Sequence, residues 1–356
     1  MDVLTRVFEQ DIAKIDFYER KEKITNTKTI LYGPPRSGKS YIAYEFLFDF
    51  TKEKRLYIDL DDLRINIDTI NNHLQAFIDK NQIEALVIDS YNSTLTIPNI
   101  ANLILISQKE LFIEGFDTKL IMPLDFEEFL SQDLKLQNIT TSFNNFFRFG
   151  NFSESIPLNE HNKIKRNQEV LRLFSKDEVE LLALKTIINS IGELTSVHNL
   201  YTQLKRVSKV SKDRFYTLIK SLEEQKILFF VAKENQEKAL KRLYLYNHSI
   251  KSSVSFAKNF KNEFTNMVFL ELFNTHKDIS YLDGIDFYLP LSQSVILCIP
   301  FYNDMMVEQI SQKLLSLKTS YKIKKLTIIC VNNTQSSFCI DDIECNIIPF
   351  FVWALL

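Results

Sequence analysis

The sequence predicts an α/β protein: a parallel β-sheet with helices on both faces, then a run of helices ending in a β-hairpin, then a second, smaller α/β unit. Three observations predict it. Short apolar runs alternate with helical periodicity as far as Met122. Two of the chain's six glycines fall inside one loop, GPPRSGKS at 33–40, between a strand-like and a helix-like segment. After Pro123 the alternation gives way to helices in series.

Taken in order, Val3, Leu4, Val7, Phe8, Ile12 and Ile15 recur at helical spacing and predict an amphipathic N-terminal helix. Thr29–Tyr32 predicts a strand, and Lys39 to about Thr51 the helix after the glycine loop. Leu56–Leu60, Ala85–Asp89, Leu103–Ser107 and Lys119–Met122 read as further strands, with a helix over Ile65–Lys80. Beyond Pro123, helices are predicted at Phe126–Leu134, Thr141–Phe147, Asp177–Ser190, Val197–Val207 and Lys212–Gln225. The hairpin is Ile227–Ala232 and Arg242–Tyr246, so the last three helices and the hairpin outline a winged helix. A helix over Asn262–His276 opens the last unit. Strands at Ile279–Leu282, Ile285–Leu289 and Ser294–Ile299, a helix at Met305–Lys318 and a strand at Lys324–Val331 follow. The apolar end, Ile347–Leu356, reads as a buried terminal strand.

Composition narrows the function classes. The 356 residues carry a net charge of −2, which does not mark the whole chain for nucleic acid or a membrane surface. Cys298, Cys330, Cys339 and Cys345 form no CxxC pair and stand near no histidine cluster, so they read as thiols rather than zinc ligands. No apolar run reaches the roughly 20 residues of a membrane span, and the mixed-charge N-terminus is not that of a secretory signal. The expected location is the cytoplasm.

The loop Gly33, Pro34, Pro35, Arg36, Ser37, Gly38, Lys39, Ser40 satisfies G-x-x-x-x-G-K-[ST], the phosphate-binding P-loop. Glycines let the backbone curl so that successive N–H groups point at phosphate oxygens. The helix that begins at Lys39, with Tyr41 in its first turn, adds a favourable dipole. Lys39 is expected on the β- and γ-phosphates and the Ser40 hydroxyl on Mg²⁺. Asp89, ending the apolar strand ALVID, is expected to hold the same ion through water. No Asn-Lys-x-Asp guanine-reading motif follows, so the expected ligand is ATP with Mg²⁺.

GPPRSGKS, LVIDS and LILISQKELFIEGFDTKLIMPLDFEEFL together resemble archaeal and bacterial AAA-type P-loop ATPases that carry a winged helix and a C-terminal nuclease-like domain. FFRFGNFSES resembles their Gly-Gly-x-Pro turn, with Gly150 alone kept; NEFTNMVFLEL and Ile285–Phe287 resemble their C-terminal helix and strand motifs. The resemblance implies a P-loop NTPase parallel sheet, a winged helix and a smaller restriction-endonuclease-like α/β domain. The implied division is an ATP-binding domain at 1–130, a helical lid or connector at 131–175, a winged helix at 176–250 and a degenerate nuclease-like domain at 251–356. Ser107 is implied as the sensor beside the γ-phosphate.

The departures from the pattern carry as much meaning. The glutamate that usually follows the strand-end aspartate is Ser90, and the arginine expected after Gly115 is Phe116. Binding residues are intact and hydrolytic ones are replaced; Asp59, Asp61 and Asp62 are the nearest alternative carboxylates. In the last unit Glu263 or Glu271 and Asp286 match ligand positions, but the strand that should bring an acid and a lysine reads ILCIP. Between His198 and Leu245 eleven Lys/Arg face five acids, a charge suited to DNA or RNA phosphates through Lys212, Arg214 and Lys220, or to a solvated docking arm. The expected function is a slow ATP-dependent switch on a protein or nucleic-acid partner. An active ATPase that remodels its partner and an ATP-gated nuclease stand as alternatives, and the oligomeric state is open.

Overall fold

A computed structural model describes residues 2–10, 19–132, 138–156, 158–332 and 335–356. The chain forms two compact units, one of Met1–Pro123 with Glu224–Ile227, the other of Leu124–Glu223 with Leu228–Leu356.

The first unit holds α1 (Asp2–Glu9), β1 (Lys28–Tyr32), α2 (Lys39–Leu47), β2 (Arg55–Asp59), α3 (Ile67–Asn81), β3 (Ala85–Asp89), β4 (Asn102–Ser107) and β5 (Asp117–Leu120). Its five strands run in the order β2-β3-β4-β1-β5, all parallel. β3 and β4 are apolar along their length because central parallel strands are buried on both faces. On one face α1 and α3 pack Leu4, Ile70, Leu74 and Phe77 against Leu56, Ile58, Leu86 and Leu105. On the other, α2 packs Ile42, Ala43 and Leu47 against Leu31, Val87, Ile104 and Ile106. Asn66 starts α3 by accepting the Thr69 N–H, and Gln82 ends it in the left-handed region at φ 53°. Of the N-terminal helix, Ile12 and Ile15 lie outside the described residues, as do Asp133 and Leu134 of the helix expected at Phe126–Leu134.

The second unit opens with α4 (Phe126–Gln132), α5 (Ile139–Phe149), α6 (Glu160–Leu173), α7 (Glu178–Asn189), β6 (Leu194–Thr195), α8 (Val197–Lys205) and α9 (Lys212–Glu224). β7 (Leu228–Val231) and β8 (Lys241–Leu245) join β6 in a three-stranded antiparallel sheet. α10 (Phe260–Thr275), β9 (Ser280–Leu282), β10 (Ile285–Leu289), β11 (Ser294–Cys298), α11 (Val307–Lys318), β12 (Lys325–Cys330), β13 (Ser336–Ile340), β14 (Ile343–Pro349) and α12 (Phe350–Trp353) complete it. The last sheet is mixed, β13-β14-β12-β11-β10-β9, with the β11-β12-β14 core parallel and both margins antiparallel.

Three elements were not expected from sequence: α6, β6 and β13. The C-terminus also differs. The predicted terminal strand is the end of β14, and at Pro349 the chain turns into a short helix that drives Phe350 into an aromatic core. Proline lacks the N–H a continuing ladder needs. Phe350 meets Phe126, Phe143 and Phe264 at 5.5, 5.5 and 6.1 Å between ring centroids. Rings in these tilted contacts contribute about 1 kcal/mol each beyond their buried area.

His248 sits in this core, fully buried, with Nε2 on the Phe146 carbonyl at 2.8 Å and no partner at Nδ1. Burial lowers its pKa to about 4. The unfolded chain therefore binds a proton that the folded chain refuses between about pH 6.5 and 4. Stability is expected to hold above pH 6.5 and to fall by about 3 kcal/mol as pH drops to 4. Denaturant unfolding of wild type and His248→Gln across that window checks it: the variant's slope should be flatter.

Candidate functional site

The P-loop follows β1 and turns into α2, as the motif requires. Gly33 and Gly38 hold φ of 137° and 92°, conformations an L side chain resists. Space forbids a side chain as well: a Cβ at Gly33 would stand 2.4 Å from the Ile121 carbonyl oxygen, and one at Gly38 would stand 2.7 Å from Arg20 Nη1. Arg36 takes the left-handed region at φ 64° without glycine's freedom, at the exposed crest of the loop. Pro34 is buried and Pro35 half-buried beside it. Tyr41, in the first turn of α2, is exposed and meets Tyr44 edge-on at 6.2 Å.

Sequence reading missed Arg20, which clamps this loop. It is 8% exposed, and its guanidinium donates to the Ser37 carbonyl at 2.7 Å and to the Met122 carbonyl at 2.8 Å. A lone arginine eight residues before a strand carries no pattern that marks it. The Ser37 hydroxyl is buried and lacks a hydrogen-bond partner among the described residues.

Lys39 is buried and donates back into the loop, to the carbonyls of Gly33 at 2.9 Å and Pro34 at 2.8 Å. Burial lowers its pKa to about 8, against the pull of the Asp89 charge. The Ser40 hydroxyl donates to Asp89 Oδ2 at 2.7 Å. Tyr57, on β2, donates to the same oxygen at 2.5 Å, and the Ser90 N–H donates to Oδ1 at 2.7 Å. Burial first, and then the Asp89 charge, raise the Tyr57 hydroxyl far above its ordinary value, so it stays a donor. Ser107 ends β4 opposite Tyr32 of β1, buried, and accepts the Lys109 N–H at 3.3 Å. Tyr32 in turn hydrogen-bonds Glu110, which with burial raises its pKa to about 12.

Lys39, Ser40, Asp89 and Ser107 thus stand at the carboxyl ends of β1, β3 and β4, where open parallel sheets place their ligands. The donor set fits a magnesium triphosphate: a glycine-lined cradle, one ammonium, and a hydroxyl already in contact with a single carboxylate. Mg²⁺ needs few protein ligands because phosphate oxygens and water fill the rest.

The acids of the last unit are engaged elsewhere. Asp286 is buried, accepts the Cys298 N–H at 2.8 Å, and lies 3.7 Å from the Arg242 guanidinium. Glu271 accepts the Phe126 N–H at 2.9 Å, and Glu263 the Asn259 N–H at 3.3 Å. Among the described residues, no three His, Cys, Asp or Glu side chains converge to hold a metal ion. The basic segment is also partly spent. Arg214 pairs with Asp177 at 2.6 Å and Glu180 at 3.1 Å, and Lys233 pairs with Asp283 at 2.7 Å. Arg214 is therefore not the phosphate contact its position suggested; acids outside the segment neutralise it. Lys205, Arg206, Lys209, Lys212 and Lys220 are exposed. No helix among the described residues is long and apolar enough to cross a membrane.

No family model matches the chain. It is 24% identical over 298 residues to an uncharacterized protein of Methanocaldococcus jannaschii, covering 70% of this chain and 67% of that one. Among solved structures it is similar to a Walker-type ATPase of Pyrococcus abyssi, with TM-score 0.45, 14% identity, 67% of this chain and 96% of that one. It is also similar to the ORC1 protein of Aeropyrum pernix in complex with DNA, with TM-score 0.33, 11% identity, 66% of this chain and 87% of that one.

Two outcomes are expected. Arg20→Ala removes charge-assisted bonds to two buried carbonyls; denaturant unfolding should show a loss of about 2 kcal/mol or more. Tyr57→Phe removes one of the donors that orient Asp89; titration of ATP binding with Mg²⁺ should show the half-saturating metal concentration raised about tenfold.

Proposed function

We propose that this chain binds Mg-ATP at Gly33–Ser40 and acts as a slow nucleotide-dependent switch. The observation that carries the reading is the contact of the Ser40 hydroxyl with Asp89 at the foot of a glycine-curled loop that ends in a buried lysine. Lys39 would leave its two loop carbonyls for the β- and γ-phosphates. Ser40 and Asp89 would hold Mg²⁺, Asp89 through water. Ser107, at the end of the strand between β1 and β3, would face the γ-phosphate as sensor. Backbone N–H groups from Pro35 excepted, the loop from Arg36 to Tyr41 offers donors that need no reorganisation on binding.

Turnover is slow in this reading because the residue after Asp89 is a serine. A hydroxyl is too weak a base at neutral pH to replace a carboxylate, and a positioned base contributes roughly 10²–10⁴-fold. The bound state then lasts long enough to be read by a partner. The division into an ATP-binding domain, a winged helix over 176–250 and a nuclease-like domain over 251–356 belongs to the same proposal. Three helices with a three-stranded sheet, and a mixed six-stranded sheet after them, support it. With Asp286 held by Arg242 and the Cys298 N–H, the last domain serves packing or recognition rather than cleavage.

Lys39→Ala tests the site: calorimetry should show ATP affinity reduced at least about tenfold, the loss of a charge-assisted contact to phosphate. Equal affinity in the two proteins would refute the site. The five exposed cations around α8 and α9 favour a second reading, in which the partner is nucleic acid bound without sequence preference. A mobility-shift titration should then lose affinity with salt, log K falling by about 0.9 per log unit for each phosphate contacted. No shift at low salt leaves a protein partner.

A further inference from the structure

Hydrolysis in a P-loop needs a group that takes a proton from the attacking water, and Ser90 has no carboxylate to offer. We infer that Asp59 supplies it: its carboxylate stands at the end of the strand next to Asp89, in the same register, held there by the Ser90 hydroxyl. The inference rests on the Mg-ATP reading and extends it to the reacting water.

The geometry has three parts. Asp59 and Asp89 are register partners on parallel strands, which lie about 4.8 Å apart. Register partners project from the same face of a sheet, and successive residues alternate. Tyr57, two residues before Asp59, faces α2 and reaches Asp89, so Asp59 shares the face that carries the P-loop helix. Its carboxylate is then fixed from two sides: Oδ1 accepts the Asp61 N–H at 3.0 Å, and the Ser90 hydroxyl donates to it. Ser90 is held at φ 58°, a conformation uncommon outside glycine, asparagine and aspartate. Strain of this kind persists where surrounding contacts over-determine it. Here those contacts are the Ser90 N–H on Asp89 and its hydroxyl on Asp59, so one residue ties both carboxylates.

Rival acids are spent or turned away. Asp62 is exposed to a bidentate pair with Arg64, at 2.9 and 2.5 Å. Glu110 is bonded to the Tyr32 hydroxyl. Asp61 is exposed beyond the strand end and reaches Asp59 only through its backbone. Asp59 is half-buried, which leaves room for water beside it.

In the step assigned to it, Asp59 accepts a proton from water as the water oxygen bonds to the γ-phosphorus. The bond from that phosphorus to the bridging oxygen breaks, and ADP leaves with the electron pair. Asp59 then returns its proton to the phosphate released. Ser90 is a positioning residue in this scheme.

The test compares wild type, Asp59→Asn, Asp61→Asn, Ser90→Ala and the double variant Asp59→Asn/Ser90→Glu. ATP binding by calorimetry, single-turnover phosphate release, and retention of ADP with aluminium fluoride are measured on each. Asp59→Asn should bind ATP as wild type does, release phosphate about 10²-fold more slowly or worse, and fail to retain the aluminium fluoride complex. Asp61→Asn should match wild type, Ser90→Ala should fall between, and the double variant should regain turnover because a carboxylate returns on β3. Failure of wild type to bind ATP would overturn the nucleotide reading itself. Binding with equal phosphate release in wild type and Asp59→Asn, or a loss confined to Asp61→Asn, would overturn the assignment of Asp59 alone.

Discussion

The first unit is organised around the carboxylate of Asp89, which takes donors from three directions: a helix hydroxyl, a phenol on the neighbouring strand, and the N–H of its own successor. A charge at a strand end is costly to desolvate unless its lone pairs are filled. Filling them draws α2, β2 and the turn after β3 toward one atom group. The P-loop inherits its position from this arrangement, because Ser40 is both the first partner and the last residue of the motif. Arg20 supplies the second constraint by tying the loop's Ser37 carbonyl to the Met122 carbonyl beyond β5.

Much of this was legible in the sequence. Four strands of the first sheet and both of its long helices fall within a few residues of their apolar runs, since strands buried on both faces must be apolar throughout. The phosphate loop announced itself because glycine is scarce elsewhere. What stayed hidden is of another kind. Arg20, Tyr57 and Asp59 matter through partners 17 to 102 residues away, or across a strand register, and no local spacing encodes that. β6 has two residues and β13 is half-exposed, so neither has an apolar run to show. α6 is polar along most of its length and has the same defect. The end of the chain was misread because apolar content alone does not separate a strand from a short helix; Pro349 decides it.

The second unit shows how a charge count misleads. The eleven cations between His198 and Leu245 look unbalanced only while their partners are sought nearby. Asp177, Glu180, Asp283 and Asp286 lie outside that window and engage Arg214, Lys233 and Arg242. The same contact removes Asp286 from any role that needs an open carboxylate. Asn266 joins the small sheet to α10 by accepting the Leu245 N–H at 2.7 Å and donating to the Leu245 carbonyl at 2.9 Å, so the hairpin and the mixed sheet share one interior. A substitution in either is therefore felt in both.

The ammonium of Lys39 is already satisfied by two loop carbonyls. Any incoming anion competes with those oxygens and must offer more than they do before the side chain turns. A single phosphate, with its charge at one end of the cradle, offers little; a chain of phosphates that spans it offers several oxygens at once. The loop's own carbonyls thereby act as a threshold that sorts nucleotides by the length of their phosphate chain, before the base is met at all.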